Sequence, residues 1–108
     1  MSRSDRERLA DIVAAAGEVA EIVRRGRPAF DEDVALQRAP ERCLEIIGEA
    51  AKSLSSETRE SIVEVPWSDV IRLRDLLSHH YHRVEAGQVW TTSSVEVPKV
   101  VEAIRSTH

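Results

Sequence analysis

Arg74-Asp75-Leu76-Leu77-Ser78-His79-His80-Tyr81-His82-Arg83 gathers a fixed cation, a group that titrates near neutrality and a phenol within ten positions. An arginine stays charged at any working pH and can grip a phosphate through two N–H groups. A histidine takes or gives a proton near pH 7. Together they are the minimum set for metal-free cleavage of a phosphodiester, and Arg74 and His79 are the candidate catalytic pair. Arg72 and Arg83 are candidate phosphate contacts, with plain solubilising charge as the alternative. The stretch 72–83 is locally basic, with three arginines and three histidines against Asp75.

The spacing constrains how such a site is built. On an ideal helix Arg74 and Tyr81, seven residues apart, share a face. Arg74 and His79 are five apart and point roughly 140° away from each other. One straight helix therefore does not aim both at one phosphate. Either the helix loosens before His79, or two chains meet on a two-fold axis and pool their motifs. The second arrangement, a homodimer with this helix at its interface, is the expected one. His79, His80 and His82 splay at i, i+1, i+3, and Cys43 is distant in sequence, so this pattern is not read as a metal site.

The elements that position the motif are helical. Ser4 with Glu7 forms a capping box, and Leu9, Ile12, Val13, Ala16, Val19, Ala20 and Val23 recur at helical spacing. They predict a first helix over roughly 5–25, followed by a loop from Gly26 to Phe30. Asp31 to Asp33 supply acidic first-turn residues for a second helix. Its stripe is Leu36, Ala39, Cys43, Ile46, Ile47, Ala50 and Leu54. Pro40 kinks this helix or, alternatively, starts it. Ser56 to Ser61 is a short helical turn, and Val65-Pro66 breaks the chain. Trp67 to about His80 is a helix with Val70, Leu73, Leu76 and Leu77 inward, Glu85 to Gly87 a turn, and Gln88 to about Ser106 a last helix despite Thr91-Thr92 and Pro98.

The chain has 108 residues, 42% hydrophobic but only 4% aromatic, so aliphatic side chains must fill one small core. The expectation is a single all-α domain over 1–108, an antiparallel four- to five-helix bundle. A lone cysteine, no apolar run of membrane-spanning length and no signal-type N-terminus point to a cytoplasmic protein. A net charge of -4 argues against sequence-independent coating of DNA, but leaves a locally basic nuclease possible. Cys43, Trp67 and Trp90 are read as core residues.

In this order the blocks resemble a HepT-like toxin of the HEPN superfamily. They are Arg42-Cys43-Leu44-Glu45-Ile46-Ile47-Gly48-Glu49-Ala50-Ala51, Val65-Pro66-Trp67, Arg74-x4-His79-x-Tyr81 and Val89-Trp90. The histidine motif alone is weak; the ordered set is specific and covers the chain from about residue 9 onward. The resemblance implies a HEPN-like bundle, a dimer and a metal-independent endoribonuclease that needs no cofactor. It also implies a type VII toxin–antitoxin pair with an MntA-like nucleotidyltransferase, which would transfer AMP from ATP to the motif tyrosine, here Tyr81. Asp75 stands where the family usually has Asn, which would weaken local phosphate affinity, and Pro40 is a second departure.

On this reading the RNA supplies its own 2′-hydroxyl nucleophile, His79 acts as base and Arg74 stabilises the transition state. Glu49 and Glu45, one turn apart and off the apolar stripe, are solvent-facing charge, or Glu49 holds Arg74 in place. Replacing Arg74 or His79, taken as exposed polar residues, is expected to remove cleavage with little effect on folding. The rival readings are a non-catalytic helical partner that binds nucleotide or substrate for a nucleotidyltransferase, and a structural dimerisation domain.

Overall fold

Helix α1, Asp5–Val23, starts where the capping box places it: the Glu7 amide donates to Ser4 Oγ at 3.1 Å, and the Ser4 amide to the Glu7 carboxylate at 3.1 Å. The structure is a computed structural model and describes residues 4–78 and 85–107. The expected loop after α1 is instead a turn of helix. Gly26, at φ 87°, takes the left-handed conformation that stops α1, and α2, Arg27–Glu32, begins at once with Pro28 in its first turn. Gly and Pro mark loops, but they mark helix boundaries equally well. Here they hold the junction to three residues, Arg24 to Gly26.

Asp31 and Glu32 therefore close α2 rather than open the next helix. Asp33 is extended and caps α3, Val34–Ser53, by accepting from the Ala35 amide at 2.9 Å. Gln37 Nε2 ties the two helices by donating to the Phe30 and Asp31 carbonyls at 3.0 and 3.2 Å. Since α3 begins at Val34, Pro40 does not start it. Pro40 is fully buried and Ala39 is exposed, the reverse of the expected stripe. The inward positions are Leu36, Pro40, Cys43, Leu44, Ile47, Ala50, Ala51 and Leu54, which keep a better 3.6-residue period.

Helices α1 and α3 run antiparallel. Asp5, at the start of α1, accepts from the Ser55 amide (3.1 Å) and hydroxyl (2.5 Å) just past the end of α3. Midway along both, Cys43 Sγ lies 3.5 Å from Glu18 Oε2. Ser55 also caps α4, Ser56–Ser61, where the short turn was expected. Trp67 then opens α5, Trp67–Ser78, and pins it by donating Nε1 to the Arg59 and Ile62 carbonyls at 3.0 and 3.1 Å.

The last helical segment starts at Ala86, inside the expected turn. It is α6, Ala86–Thr91, a π-helical turn over Thr92–Glu96, then α7, Val97–Thr107. Pro98 explains the π turn. Its ring has no N–H and crowds the carbonyl four residues back, so the ladder widens just before it, with the Val97 amide donating to Thr92 O. Ser94 Oγ, donating to Trp90 O at 2.7 Å, and Thr91 Oγ1, donating to Gly87 O at 3.0 Å, take up backbone carbonyls beside the disturbance.

The described residues form an all-α bundle whose core is aliphatic: Ile12, Val19, Leu44, Ile47, Leu54, Ile62, Val97, Val100 and Ile104, with Phe30 the one large aromatic fully inside. Phe30 packs on Trp90 at a centroid distance of 5.1 Å. None of the described helices is long and apolar enough to cross a membrane.

Candidate active site

The site is built where α5 lies on α3. Val70, Leu73 and Leu77 of α5 rest partly buried against the core, and no residue of α5 is wholly buried. Arg74, on the same side, is caught between the helices. Its side chain retains 28% exposure. Nη2 reaches Glu49 Oε1 of α3 at 3.4 Å, and Nη1 donates to Asp75 Oδ1 at 3.1 Å. Nε is buried and has no hydrogen-bond partner. The hydrogen bond to Asp75, then that to Glu49, pushes the guanidinium pKa further up against partial desolvation, so the group is a permanent cation. With Nε buried, an anion would have to meet the guanidinium at Nη1 and Nη2, which already contact Asp75 and Glu49.

Glu49 thus lies where it can hold Arg74. Glu45, one turn earlier, is instead paired with Arg42, whose Nη1 is 3.1 Å from Glu45 Oε2. Arg72 is two residues from Arg74, so it leaves the opposite side of α5. It is well exposed and 3.6 Å from Asp69 Oδ1. Among the described residues, the structure brings Glu49 and Asp75 to Arg74 and keeps Arg72 apart. His79, Tyr81 and Arg83 lie outside the described residues.

Sequence reasoning gave no role to Gly48. A Cβ on Gly48 would sit 2.1 Å from Arg74 Cβ and 2.8 Å from its Cγ. Only a glycine lets the two helices come this close at the motif arginine. The sequence carried a partial signal: a glycine in the middle of a long amphipathic helix costs about 1 kcal/mol against alanine, which invites a search for a packing reason. Gly17 shows the limit of that signal, because nothing lies within 4 Å of its would-be Cβ.

Cys43 is a buried thiol whose pKa is pushed up to about 11, first by desolvation and then by Glu18. It is a core residue, as expected, and Trp67 and Trp90 are partly buried against that core. Arg27 stands 5.9 Å above the Trp90 ring. Among the described residues, no three His, Cys, Asp or Glu side chains are grouped to hold a metal ion.

The chain is similar to known proteins over most of its length. The family described as ribonuclease HepT-like matches residues 12–107. A protein of Thermococcus cleftensis, provisionally named ribonuclease HepT, is 34% identical over 103 residues, covering 93% of this chain and 92% of that protein. One from Caldanaerobacter subterraneus subsp. tengcongensis, provisionally named an RNase, is 41% identical over 76 residues, covering 70% of this chain and 68% of that protein. A third, from Methanocaldococcus jannaschii and also provisionally named an RNase, is 37% identical over 71 residues. That match covers 66% of this chain and 59% of its relative. No solved structure gave a significant match. A helical bundle that seats the motif arginine between two helices, together with a family match over nearly the whole chain, leads to one conclusion: the chain belongs to the ribonuclease HepT-like family.

Proposed function

We propose that the chain is a metal-independent endoribonuclease, the toxin of a pair whose other member is a nucleotidyltransferase. Membership of a ribonuclease family gives the class of enzyme. The observation that carries the reading further is the seating of Arg74. A partly exposed arginine, held by Glu49 from a second helix, stands at the head of the Arg-x4-His-x-Tyr motif.

The chemistry follows from an RNA substrate. His79 takes the proton from a ribose 2′-hydroxyl, and that oxygen attacks the adjacent phosphorus. The bond to the 5′-oxygen breaks, and a histidine returns a proton to that oxygen. The products are a 2′,3′-cyclic phosphate and a 5′-hydroxyl. Arg74 meets the charge that builds on the non-bridging oxygens. Arg72 and Arg83 track neighbouring phosphates. Because Arg74 and His79 diverge on one helix, two subunits pool their motifs across a two-fold axis. Incubating the pure protein with RNA in EDTA and analysing the ends tests this. Cyclic phosphate and 5′-hydroxyl ends are expected, and intact RNA would leave the rival reading of a non-catalytic partner.

Asp75 sets a finer expectation. Its carboxylate shares the guanidinium of Arg74 and faces the same incoming phosphate. Asp75→Asn keeps an oxygen to accept from Nη1 and removes the charge. A half-exposed ion pair is worth under about 1 kcal/mol, so the Michaelis constant for RNA should fall about two- to fivefold with little change in turnover. The gain should shrink at high salt. A Michaelis constant that rises would mean that Asp75 orients Arg74 rather than competing for it.

A further inference from the structure

We infer that Gly48 is a positioning residue for cleavage: its missing side chain sets the distance between α3 and α5 and thereby the place of the Arg74 guanidinium. The inference rests on the nuclease reading above for its functional half and on the packing of two helices for the other.

The contact is specific to this point. Among the described residues α5 packs chiefly on α3, so close contacts within that pair govern where α5 lies. At Gly48 the pair comes very close, since a would-be Cβ there meets not only Arg74 Cβ and Cγ but also the Val70 carbonyl oxygen at 3.2 Å. Two of the three blocking atoms are backbone or Cβ, which no rotamer change can move aside. Carbon atoms in contact sit about 3.5–4.0 Å apart, so a side chain at position 48 pushes α5 outward on the order of 1 Å. Glu49, the next residue on α3, already reaches Arg74 Nη2 at a long 3.4 Å, and this contact would open. The guanidinium would then lose the group that holds it. A displacement of about 1 Å at a reacting centre can cost on the order of 10²-fold in rate.

Two double-mutant cycles in the full-length protein test this. In the first, RNA cleavage is measured for the parent, Gly48→Ala, Arg74→Ala and the double variant. Gly48→Ala should lower the rate about 10- to 100-fold in the parent and cause almost no further loss once Arg74 is alanine. A loss of equal factor in both backgrounds, or none in the parent, overturns the inference. Gly17→Ala, where nothing opposes a Cβ, should keep the parent rate; a loss there like that at position 48 would also overturn it. The second cycle reads melting temperature and does not depend on catalysis. Gly48→Ala should lower it, and the drop should be smaller in an Arg74→Gly background, where the opposing Cβ and Cγ are gone. An equal drop in both backgrounds means that the close approach is not what glycine provides. If cleavage proves independent of Arg74, the first cycle is flat while the second still reports on the contact. The two failures are thus told apart.

Discussion

Arg74→Lys should cut RNA cleavage about 10²–10³-fold while the protein folds and melts nearly as before. The factor is what removal of one preorganised transition-state donor typically costs. Lysine is the sharper probe than alanine because of how Arg74 is seated. Its Cβ and Cγ cover Gly48, so Arg74→Ala also removes packing between α3 and α5, and some stability with it. The sequence-based view of an exposed arginine, replaceable without structural effect, is revised by this contact. Lysine keeps the stem and the charge but loses the planar fork, so a loss of rate then reports on geometry. His79→Ala should lose rate by a similar factor, since it removes the proposed base. The two variants should also complement each other. In a mixed dimer, one subunit lacking Arg74 and the other lacking His79 leave one intact composite site if motifs are pooled across the two-fold axis. Recovery of up to about a quarter to a half of parent activity on mixing is the expected sign of pooling. Parent-level cleavage by Arg74→Lys would show that charge without the planar fork suffices, and parent-level cleavage by Arg74→Ala would remove the arginine from the mechanism.

What the sequence made legible follows from how local each signal is. The capping box at Ser4 and Glu7 needs only four residues in order, and it is present as read. The stripe along α1 repeats often enough that no alternative period fits. The start of α5 was marked by Val65-Pro66-Trp67, and the indole indeed closes that corner. Less legible were features in which one residue type serves two structures. Gly26 and Pro28 suit a loop as well as a short helix junction, and the structure uses the junction. Ala39 and Pro40 are adjacent and both apolar. Only the tertiary fit decides that the proline is inside and the alanine outside. The π turn before Pro98 depends on how a ladder accommodates a missing donor, which no pattern of hydrophobicity reports. At the candidate site, the motif and Glu49 were legible as residue types. The depth at which Arg74 sits was not, because it depends on an absent atom: the Cβ that Gly48 lacks.

With a cognate nucleotidyltransferase and ATP, Tyr81 should gain at least one AMP group and RNA cleavage should stop. The transfer balances simply. The Tyr81 phenolic oxygen attacks the α-phosphorus of ATP, pyrophosphate leaves and the phenol loses its proton. The silencing follows from charge and spacing. Tyr81 is seven residues from Arg74, two turns on an ideal helix, and two residues from His79. If the helix continues to Tyr81, its adduct would bring a phosphodiester anion toward a guanidinium that Glu49 and Asp75 already contact. A third anion competes for Nη1 and Nη2 of Arg74, repels the RNA backbone and fills the groove with a nucleoside. Tyr81→Phe keeps the ring and removes the acceptor oxygen, so it should keep cutting and escape silencing. Asp75→Asn supplies an independent check, since it leaves one fewer carboxylate on Arg74. It should increase the affinity of the parent for RNA yet leave the modified protein inactive, because bulk and the new charge remain. Mass spectrometry would locate the adduct. Its presence on another residue, or silencing of Tyr81→Phe by the same partner and ATP, would show that control does not act through this tyrosine.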